Sequence, residues 1–491
     1  MKLSNIKSAL KDFITNPGEG LYQRTIRSGV WVFSLRMLEQ VLGVIRLIIL
    51  ARILSPNNFG LMGIALLAMS ALETFSQTGF AQALIQKKEK TEEYLDAAWT
   101  FMLIRNIALF AILFLGAPYI AYFFEAPEAS LLMRVIGISL LFGSSGGIGG
   151  FANIGILYFQ KELEFNKQFI YRSTGTLADF VVAVSSAIIL KSVWALVFGL
   201  LAGNIVRFFV GYLIHPYRPR LNFDFDKARE LFGFGKWILG SSILVFLLNQ
   251  GDDILVGKLL GATMLGFYQM AYRISNMPAT EITHVISQVT FPAYSKLQDN
   301  IPKLREAYLK TLQLTAFISI PLAGGIFILA PDFTKIFLGE QWMPMVPAMR
   351  ALAIWGLSRS ISSSTGSLFQ AIGKPELSTK LQLLRFLILG ALIYPFTILL
   401  GILGTSLAVV LSALFVDPIA VYWALKAVHC NVFKFGKAII LPLIQTIIML
   451  SILFPLKMLL FNSDKLSCFL LISGIGVLIY VLIAKIFELR F

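Results

Sequence analysis

Charged side chains are scarce in this chain. Of its 491 residues, 14% are charged and 57% are hydrophobic. A soluble globular protein carries about 25% charged residues. The chain therefore has too few charges to cover a water-facing surface of its length, and we expect a polytopic membrane protein.

Cysteine and histidine are also rare, which argues against several kinds of site. Cys430 and Cys468 are too few for a disulfide framework, and His215, His284 and His429 lack metal-ligand spacing. No Walker, GxSxG or HExxH motif stands out. No loop is long enough for the external catalytic residues that membrane polymerases usually display. We therefore expect no metal, no cofactor and no enzymatic activity.

Apolar segments of membrane-crossing length recur along the chain. A spanning helix needs about 20 mostly apolar residues. Fourteen segments qualify, beginning near Ser28, Phe59, Ala97, Ser130, Ser173, Val193, Phe234, Gly261, Leu309, Val346, Leu381, Leu403, Ala438 and Leu466. We predict an all-α fold with fourteen transmembrane helices.

Lysine and arginine are divided unequally between the two predicted sides of the membrane. Of these 42 residues, 27 lie on the side of the N-terminus and 5 on the opposite side. By the positive-inside rule, both termini are cytoplasmic. Within a cytoplasmic N-terminus at 1–27, residues 2–15 are predicted to form an amphipathic helix on the inner leaflet, with a frayed polar tail as the alternative. The excess charge is thus assigned to topology, and no nucleic acid partner is expected.

The ten remaining positive residues lie inside apolar segments, and every one is an arginine. Arginine is always ionised, and its planar fork binds phosphate or carboxylate in bidentate fashion. A charge inside a bilayer costs at least about 2.5 kcal/mol, so each should face a partner or a wet cavity. Five lie near segment ends and are expected to extend to lipid headgroups: Arg52, Arg134, Arg207, Arg350 and Arg385. Five lie deeper and are expected to face a cavity or an ion pair: Arg36, Arg46, Arg105, Arg273 and Arg359.

Two segments place polar residues on one helical face. In the first segment, Glu39 and Arg46 share a face. In the eighth, six polar residues fall within about 40° of a common direction. They are Gln269, Arg273, Asn276, Thr280, Thr283 and Ser287. A polar seam between helices could look similar, but such seams favour small residues. We interpret this face as one wall of a water-accessible path.

Short matches indicate an internal repeat whose offset increases slowly from 206 to 216. The matched stretches are 49–54 with 255–260, 117–118 with 330–331, and 133–134 with 349–350. Six predicted helices separate the copies, so the copies have the same orientation. We predict two pseudo-symmetric six-helix lobes, 28–216 and 234–425, with a cytoplasmic linker at 217–233 and an extra helix pair at 438–487.

Several runs resemble one protein family in their order and spacing. They are 51–61 (ARILSPNNFGL), 252–262 (DDILVGKLLGA), 265–268 (LGFY), 291–295 (FPAYS) and 337–342 (FLGEQW). The runs are similar to those of the oligosaccharide flippase, or polysaccharide transporter, family. This family belongs to the multidrug/oligosaccharidyl-lipid/polysaccharide exporter superfamily. The resemblance is closest to exporters of colanic-acid and lipopolysaccharide repeat units.

The resemblance implies two lobes around a central cavity that opens alternately to each side of the membrane. The implied cargo is an undecaprenyl-pyrophosphate-linked oligosaccharide, moved from the inner to the outer leaflet, with its lipid tail beside the extra helix pair. Membrane lipid and the polysaccharide polymerase machinery are the expected partners, and we expect a monomer. Arg46 and Arg273 match cavity arginines of the peptidoglycan-precursor branch. An arginine in the second helix of that branch has no counterpart here, and Glu73 lies near its position.

Together these observations give one hypothesis for the site. The pyrophosphate is assigned to Arg46, Arg273, Arg36 and Arg359. The sugar hydroxyls are assigned to Gln269, Asn276, Thr280 and Ser287. Coupling to H⁺ or Na⁺, or gating, is assigned to Glu39, Asp252, Asp253, Glu73 and Glu281. Alternatively, Glu39 pairs with Arg36 or Arg46, and Asp252 or Asp253 pairs across the lobes. Asp179 and Asp417 are expected to be structural.

Two rival functions stay open at this point. A cation-coupled multidrug exporter of the same superfamily would have twelve spans and a cavity rich in carboxylates and poor in arginine. A non-transporting membrane scaffold gives no account of the polar face of the eighth segment.

Overall fold

The computed structural model describes residues 21–80, 83–84, 92–143, 149–460 and 466–488. The amphipathic helix predicted at 2–15 lies outside the described residues. Across these ranges all regular secondary structure is helical. The chain forms two compact units, Met1–Ile254 and Leu255–Phe491, and the division between them falls inside one long helix.

The first unit begins with eight described α-helices. In chain order they are α1 Leu21–Ile53, α2 Pro56–Phe75, α3 Glu92–Phe123, α4 Ala129–Gly137, α5 Ser139–Phe142, α6 Tyr158–Lys161, α7 Phe165–Leu190 and α8 Trp194–Ile214. Ser55 accepts a hydrogen bond from the backbone N–H of Asn58, and Pro56 occupies the first turn of α2. Because both residues favour a helix start, α1 ends and α2 begins within three residues.

The second unit is built from longer helices. They are α9 Phe225–Leu297, which begins in the first unit, α10 Ile301–Phe333, α11 Val346–Ala371, α12 Pro375–Ala427, α13 Val432–Leu460 and α14 Leu466–Glu488. A π-helical turn, Thr334–Leu338, and a 3₁₀ helix, Glu340–Met345, join α10 to α11.

Two glycines divide the longest helices. Gly261 in α9 has φ 83°, and Gly401 in α12 has φ 60°. Both lie in the left-handed region, which glycine adopts without the steric cost of a side chain. The bends fall where the seventh predicted segment meets the eighth and where the eleventh meets the twelfth. With α4 and α5 taken together, the described helices supply a helical segment for each of the fourteen predicted spans. The predicted all-α polytopic fold is confirmed.

The most apolar helices are not the ones that hold the candidate arginines. Among the described residues, eight helices are long and apolar enough to cross a membrane. Helices α1, α9 and α11 are outside that set. These three carry all four arginines assigned to the pyrophosphate. The four arginines assigned to the pyrophosphate therefore lie on helices outside the set that is apolar enough to span by composition.

The non-helical segment that follows α8 is hydrogen-bonded to α3. Residues 215–224 are not helical, and Asp96 accepts hydrogen bonds from the Tyr217 hydroxyl and from the Arg220 N–H. Asn222 donates its N–H to the Thr100 hydroxyl at 2.9 Å. Burial, together with the bond to Asp96, raises the pKa of Tyr217. The linker predicted at 217–233 thus begins as a non-helical segment bonded to α3, and it continues as the first turns of the next helix, α9.

Candidate functional site

Arg46, a candidate pyrophosphate ligand, forms an ion pair within the first unit. Its Nη2 lies 3.0 Å from Oδ1 of Asp179 on α7, and both side chains are about one-fifth exposed (22% and 23%). The Arg46 Nε atom is buried and has no hydrogen-bond partner among the described atoms. Asp179 was expected to be structural, and the structure identifies it as the counterion of Arg46.

A second ion pair joins the same two helices. Nε and Nη2 of Arg172 each lie 3.0 Å from one carboxylate oxygen of Glu39, which is a bidentate arrangement. The sequence alternative that paired Glu39 with Arg36 or Arg46 therefore named the wrong partner. In both pairs the partners are 133 residues apart, with the α1 member first. Helices α1 and α7 therefore run in the same direction, as a first and a fifth membrane span should.

Glycines of α8 make room for Asp179 of α7. A Cβ on Gly199 would lie 2.6 Å from Ala183 Cβ, and a Cβ on Gly203 would lie 2.8 Å from the Gly175 carbonyl oxygen. The backbones of α7 and α8 can approach this closely only where side chains are absent, which is how small residues act at membrane helix contacts. A Cβ on Gly199 would also lie 2.8 Å from Asp179 Oδ1, so the carboxylate that binds Arg46 lies against the glycines of α8.

Arg105 caps the end of α2. Its Nε donates to the Ser76 carbonyl at 2.7 Å, and its Nη2 donates to the Glu73 carbonyl at 2.8 Å. The last carbonyls of a helix lack internal donors and carry partial negative charge. The sequence predicted a cavity or an ion pair for Arg105, and the structure instead shows a cap on a helix C-terminus.

Arg134 and Arg350 make the same contact in the two units. Nε of Arg134 donates to the Phe114 carbonyl at 3.2 Å, and its guanidinium carbon lies 5.0 Å from the Phe114 ring centroid. Nε of Arg350 donates to the Phe327 carbonyl at 3.0 Å, and its guanidinium carbon lies 5.5 Å from that ring centroid. These arginines match in the predicted repeat, so the shared contact supports the repeat.

A proline explains why each carbonyl needs an arginine. Pro118 follows Phe114 by four residues inside α3, and Pro331 follows Phe327 by four residues inside α10. Proline has no N–H, so the carbonyl four residues earlier loses its helical hydrogen bond. The expectation that Arg134 and Arg350 extend to headgroups is replaced by a bond to this unpaired carbonyl and a stack on the neighbouring ring.

The account makes a direct prediction for the first of these contacts. Arg134→Met is expected to lower the free energy of unfolding by about 1–2 kcal/mol, since it leaves the Phe114 carbonyl unsatisfied. In a Pro118→Ala background the new alanine N–H bonds that carbonyl, so the loss should shrink to less than half. Denaturant unfolding in detergent micelles measures both values. An equal loss in the two backgrounds would show that Arg134 stabilises the fold by another route.

Two more arginines have specific partners instead of extending to headgroups. Arg207 donates to the Asn204 side chain at 3.1 Å. Arg385 lies 2.5 Å from Asp417 and 5.1 Å from the centroid of the Trp355 ring. Asp417 also accepts a hydrogen bond from the Ser358 hydroxyl. Asp417 therefore ties α11 to both halves of α12.

The polar face of the eighth predicted segment lies on the second half of α9. Arg273 and Thr280 are exposed, whereas Gln269 and Ser287 are half-buried. Asn276 is buried, and its amide donates to the Tyr272 carbonyl at 3.2 Å. A Cβ on Gly356 of α11 would lie 3.5 Å from the Asn276 side-chain oxygen, so Asn276 packs against α11.

The other candidate residues are distributed over both units. Arg36, Glu39, Glu73, Asp252 and Asp253 belong to the first unit, and Arg359 and Glu281 belong to the second. Asp252 is buried, and its carboxylate accepts the Asp253 N–H at 3.0 Å. Arg36, Glu73, Asp253, Glu281 and Arg359 are half-buried.

Comparison with known proteins identifies the family. Residues 49–347 match the family described as "Polysaccharide biosynthesis protein", and this match covers more than half of the chain. The chain belongs to this family. The lipopolysaccharide biosynthesis protein WzxC of Escherichia coli (strain K12) is 28% identical over 376 residues, which cover 76% of this chain and 75% of that protein. The resemblance seen in the sequence runs is confirmed.

Solved structures share the fold. The lipid II flippase MurJ in an inward closed conformation matches with a TM-score of 0.73 at 17% identity, covering 95% of this chain and 99% of that one. An inward-facing multidrug resistance transporter of the MATE family, in the MOP superfamily, matches with a TM-score of 0.62 at 17% identity, covering 82% of this chain and 98% of that one. At this identity the likeness shows the fold alone.

The family match covers some of the candidate site residues but not others. The matched residues 49–347 include the polar face of α9, with Arg273. Arg36, Arg46 and Arg359 lie outside the matched range. The family match therefore does not bear on the roles proposed for these three arginines.

Proposed function

We propose that this polytopic membrane protein is an alternating-access flippase for undecaprenyl-pyrophosphate-linked oligosaccharide repeat units. It moves them from the inner to the outer leaflet of the cytoplasmic membrane for assembly into cell-surface polysaccharide. The family, the WzxC relative and the fold shared with MurJ support this proposal. Flipping makes and breaks no covalent bond, so the protein is proposed to be a transporter and not an enzyme.

The environment of Arg359 is the observation that carries the assignment of an anionic cargo. Arg359 lies in the middle of α11 and is half-buried. Within the described part of the chain it has no hydrogen bond or ion pair. A guanidinium at membrane depth is costly without a counter-charge. A pyrophosphate would supply that charge, along with oxygens that match the planar fork of arginine.

The remaining assignments belong to the same proposal. Arg273 and Arg36 are proposed to add positive charge for the pyrophosphate. Arg46 is proposed to add a third guanidinium, one nitrogen of which is already bonded to Asp179. Gln269, Thr280 and Ser287 are proposed to bond sugar hydroxyls, and such side chains accept many sugars. Asn276 is proposed to support this face by packing against α11 and not to bond the sugar directly, because its side chain is buried.

Coupling to H⁺ or Na⁺ is proposed for the acidic side chains at membrane depth. Asp252, Asp253, Glu73 and Glu281 are the candidates. Glu39 is instead proposed to gate through its bidentate pair with Arg172. We propose a monomer with both termini in the cytoplasm, and that it delivers its cargo to the polysaccharide polymerase machinery.

Arg359 provides the test of the site. In vesicles that contain a fluorescent prenyl-pyrophosphate oligosaccharide, Arg359→Gln is expected to slow flipping at least about tenfold, because a charge-assisted hydrogen bond contributes about 1.5–3 kcal/mol. Arg359→Lys should keep part of the rate, since it retains the charge but loses the fork. Arg52→Gln is the matched control, because Arg52 is an exposed arginine at the end of α1. Flipping by Arg359→Gln at the wild-type rate would contradict the assignment.

A further inference from the structure

A cavity outside the candidate site lies where α10, α11 and α13 meet in the second unit. Its volume is about 630 Å³, within the range of roughly 300–1,000 Å³ that is usual for small-ligand sites. Phe327 and Ile328 of α10 and Leu450 and Phe454 of α13 give it apolar walls. Phe454 is 52% exposed and Phe327 is 44% exposed, so the apolar wall opens toward the membrane.

Two cations converge at this cavity. Arg350 donates from Nε to the Phe327 carbonyl, and Lys457 donates from Nζ to the next carbonyl, that of Ile328, both at 3.0 Å. Adjacent carbonyls of one helix therefore each bind one of the two cations that line the cavity. Arg350 makes its bond through Nε alone, and among the described residues its two terminal nitrogens have no partner. They remain available for an oxyanion.

The charge at this end of the cavity is not balanced. The residues that line the cavity include two cations, Arg350 and Lys457, and no carboxylate. Asp332, which is not among the lining residues, forms an ion pair with Lys457. Counted over these three side chains, the difference is one positive charge. A single phosphodiester carries one negative charge and matches it, whereas a pyrophosphate brings more negative charge than the cavity can neutralise.

Comparison of the two repeat copies shows that the second unit has a cation, Lys457, that the first repeat copy lacks. Arg134 makes the same carbonyl bond and ring stack as Arg350, but Lys457 lies on α13, which follows the second repeat copy. Because α13 supplies Lys457, Arg350 shares its cavity with a second cation, which Arg134 does not. This gives the experiment a natural control, because Arg134 shares the structural contact of Arg350 without Lys457.

We propose that this cavity binds one anionic glycerophospholipid, with its phosphate on Arg350 and Lys457 and an acyl chain along the wall formed by Phe327, Leu450 and Phe454. The occupant is a resident lipid and not the transported cargo. In the predicted topology this end of α10 and α13 faces the outer leaflet, so the lipid comes from there. Because the cavity lies apart from Arg359, its occupancy can be measured without any flipping assay.

The test is lipid binding to the purified, delipidated full chain, measured by native mass spectrometry. Phosphatidylglycerol is expected to bind at least about tenfold more tightly than phosphatidylcholine. The double variant Arg350→Gln/Lys457→Gln should lose this preference, and Arg134→Gln should keep it. Ser451→Trp fills the cavity from α13 and leaves both cations in place, so it should also abolish tight binding even if the charge variants fold poorly.

Two results would overturn the proposal. One is equal phosphatidylglycerol binding by the wild type, by Ser451→Trp and by the double variant. The other is competition in which a sugar-free prenyl pyrophosphate displaces phosphatidylglycerol from the wild type at equal concentration, which would assign the cavity to the cargo headgroup. Failure of flipping, by contrast, would count against the proposed function and leave this site standing.

Discussion

Replacing Arg46 with glutamine is expected to slow flipping of a prenyl-pyrophosphate oligosaccharide by about tenfold to a hundredfold. The proposal gives Arg46 a charge-assisted contact with the pyrophosphate, which contributes about 1.5–3 kcal/mol. The side-chain amide that replaces the guanidinium keeps a hydrogen-bond donor but has no charge. The rate of appearance of the fluorescent lipid in the opposite leaflet measures the effect.

A second variant separates binding from structure at this position. Arg46→Gln removes the cation that pairs with the Asp179 carboxylate, and this alone could distort the packing of α1 on α7. Adding Asp179→Asn removes the negative charge that Arg46 paired with, so it should restore the free energy of unfolding. It should not restore flipping, because the pyrophosphate contact is still missing. Recovery of flipping in the double variant would show that Arg46 acts only by holding α1 to α7.

Asp417→Ala is expected to have the largest effect on stability, lowering the free energy of unfolding by about 2–4 kcal/mol. The substitution removes the ion pair with Arg385 and the hydrogen bond from Ser358. It leaves a guanidinium about one-fifth exposed, with no counter-charge from Asp417. Thermal or denaturant unfolding in detergent micelles measures the loss.

Two controls test whether the partly buried pair is the cause. Glu306 and Lys310 form an ion pair whose side chains are 64% and 74% exposed, so Glu306→Ala should produce no measurable change. The double variant Arg385→Met/Asp417→Leu should recover most of the loss, because apolar side chains of similar volume can replace a buried pair. A loss after Glu306→Ala as large as after Asp417→Ala would contradict this explanation.

The sequence predicts the architecture well because each signal is local. An apolar run of spanning length is visible without knowledge of its neighbours. Gly261 opens the eighth predicted segment, and Gly401 lies just before the twelfth. The restriction of embedded positive residues to arginine is also visible in the sequence. Of these arginines, the four assigned to the pyrophosphate lie on helices outside the set that is apolar enough to span.

The partners of those arginines could not be predicted in the same way. Arg46 meets Asp179 across 133 residues, and only the packing of α1 on α7 brings them together. Helical periodicity could not distinguish a cavity wall from a buried contact, so Asn276 was grouped with the exposed Thr280. One signal was present but was not used. Pro118 and Arg134 recur in the repeat as Pro331 and Arg350, and proline predicts a carbonyl in need of a donor four residues earlier.

The central claim is that the protein flips a saccharide lipid, and one measurement tests it most directly. Purified protein is reconstituted in vesicles with a fluorescent prenyl-pyrophosphate oligosaccharide, and appearance of the lipid in the opposite leaflet is followed beside efflux of a cationic drug. The account predicts protein-dependent flipping of the oligosaccharide lipid and no drug efflux. Drug efflux without flipping of any saccharide lipid would contradict it and assign the chain to multidrug export. If the protein showed neither flipping nor drug efflux, the result would favour a membrane scaffold.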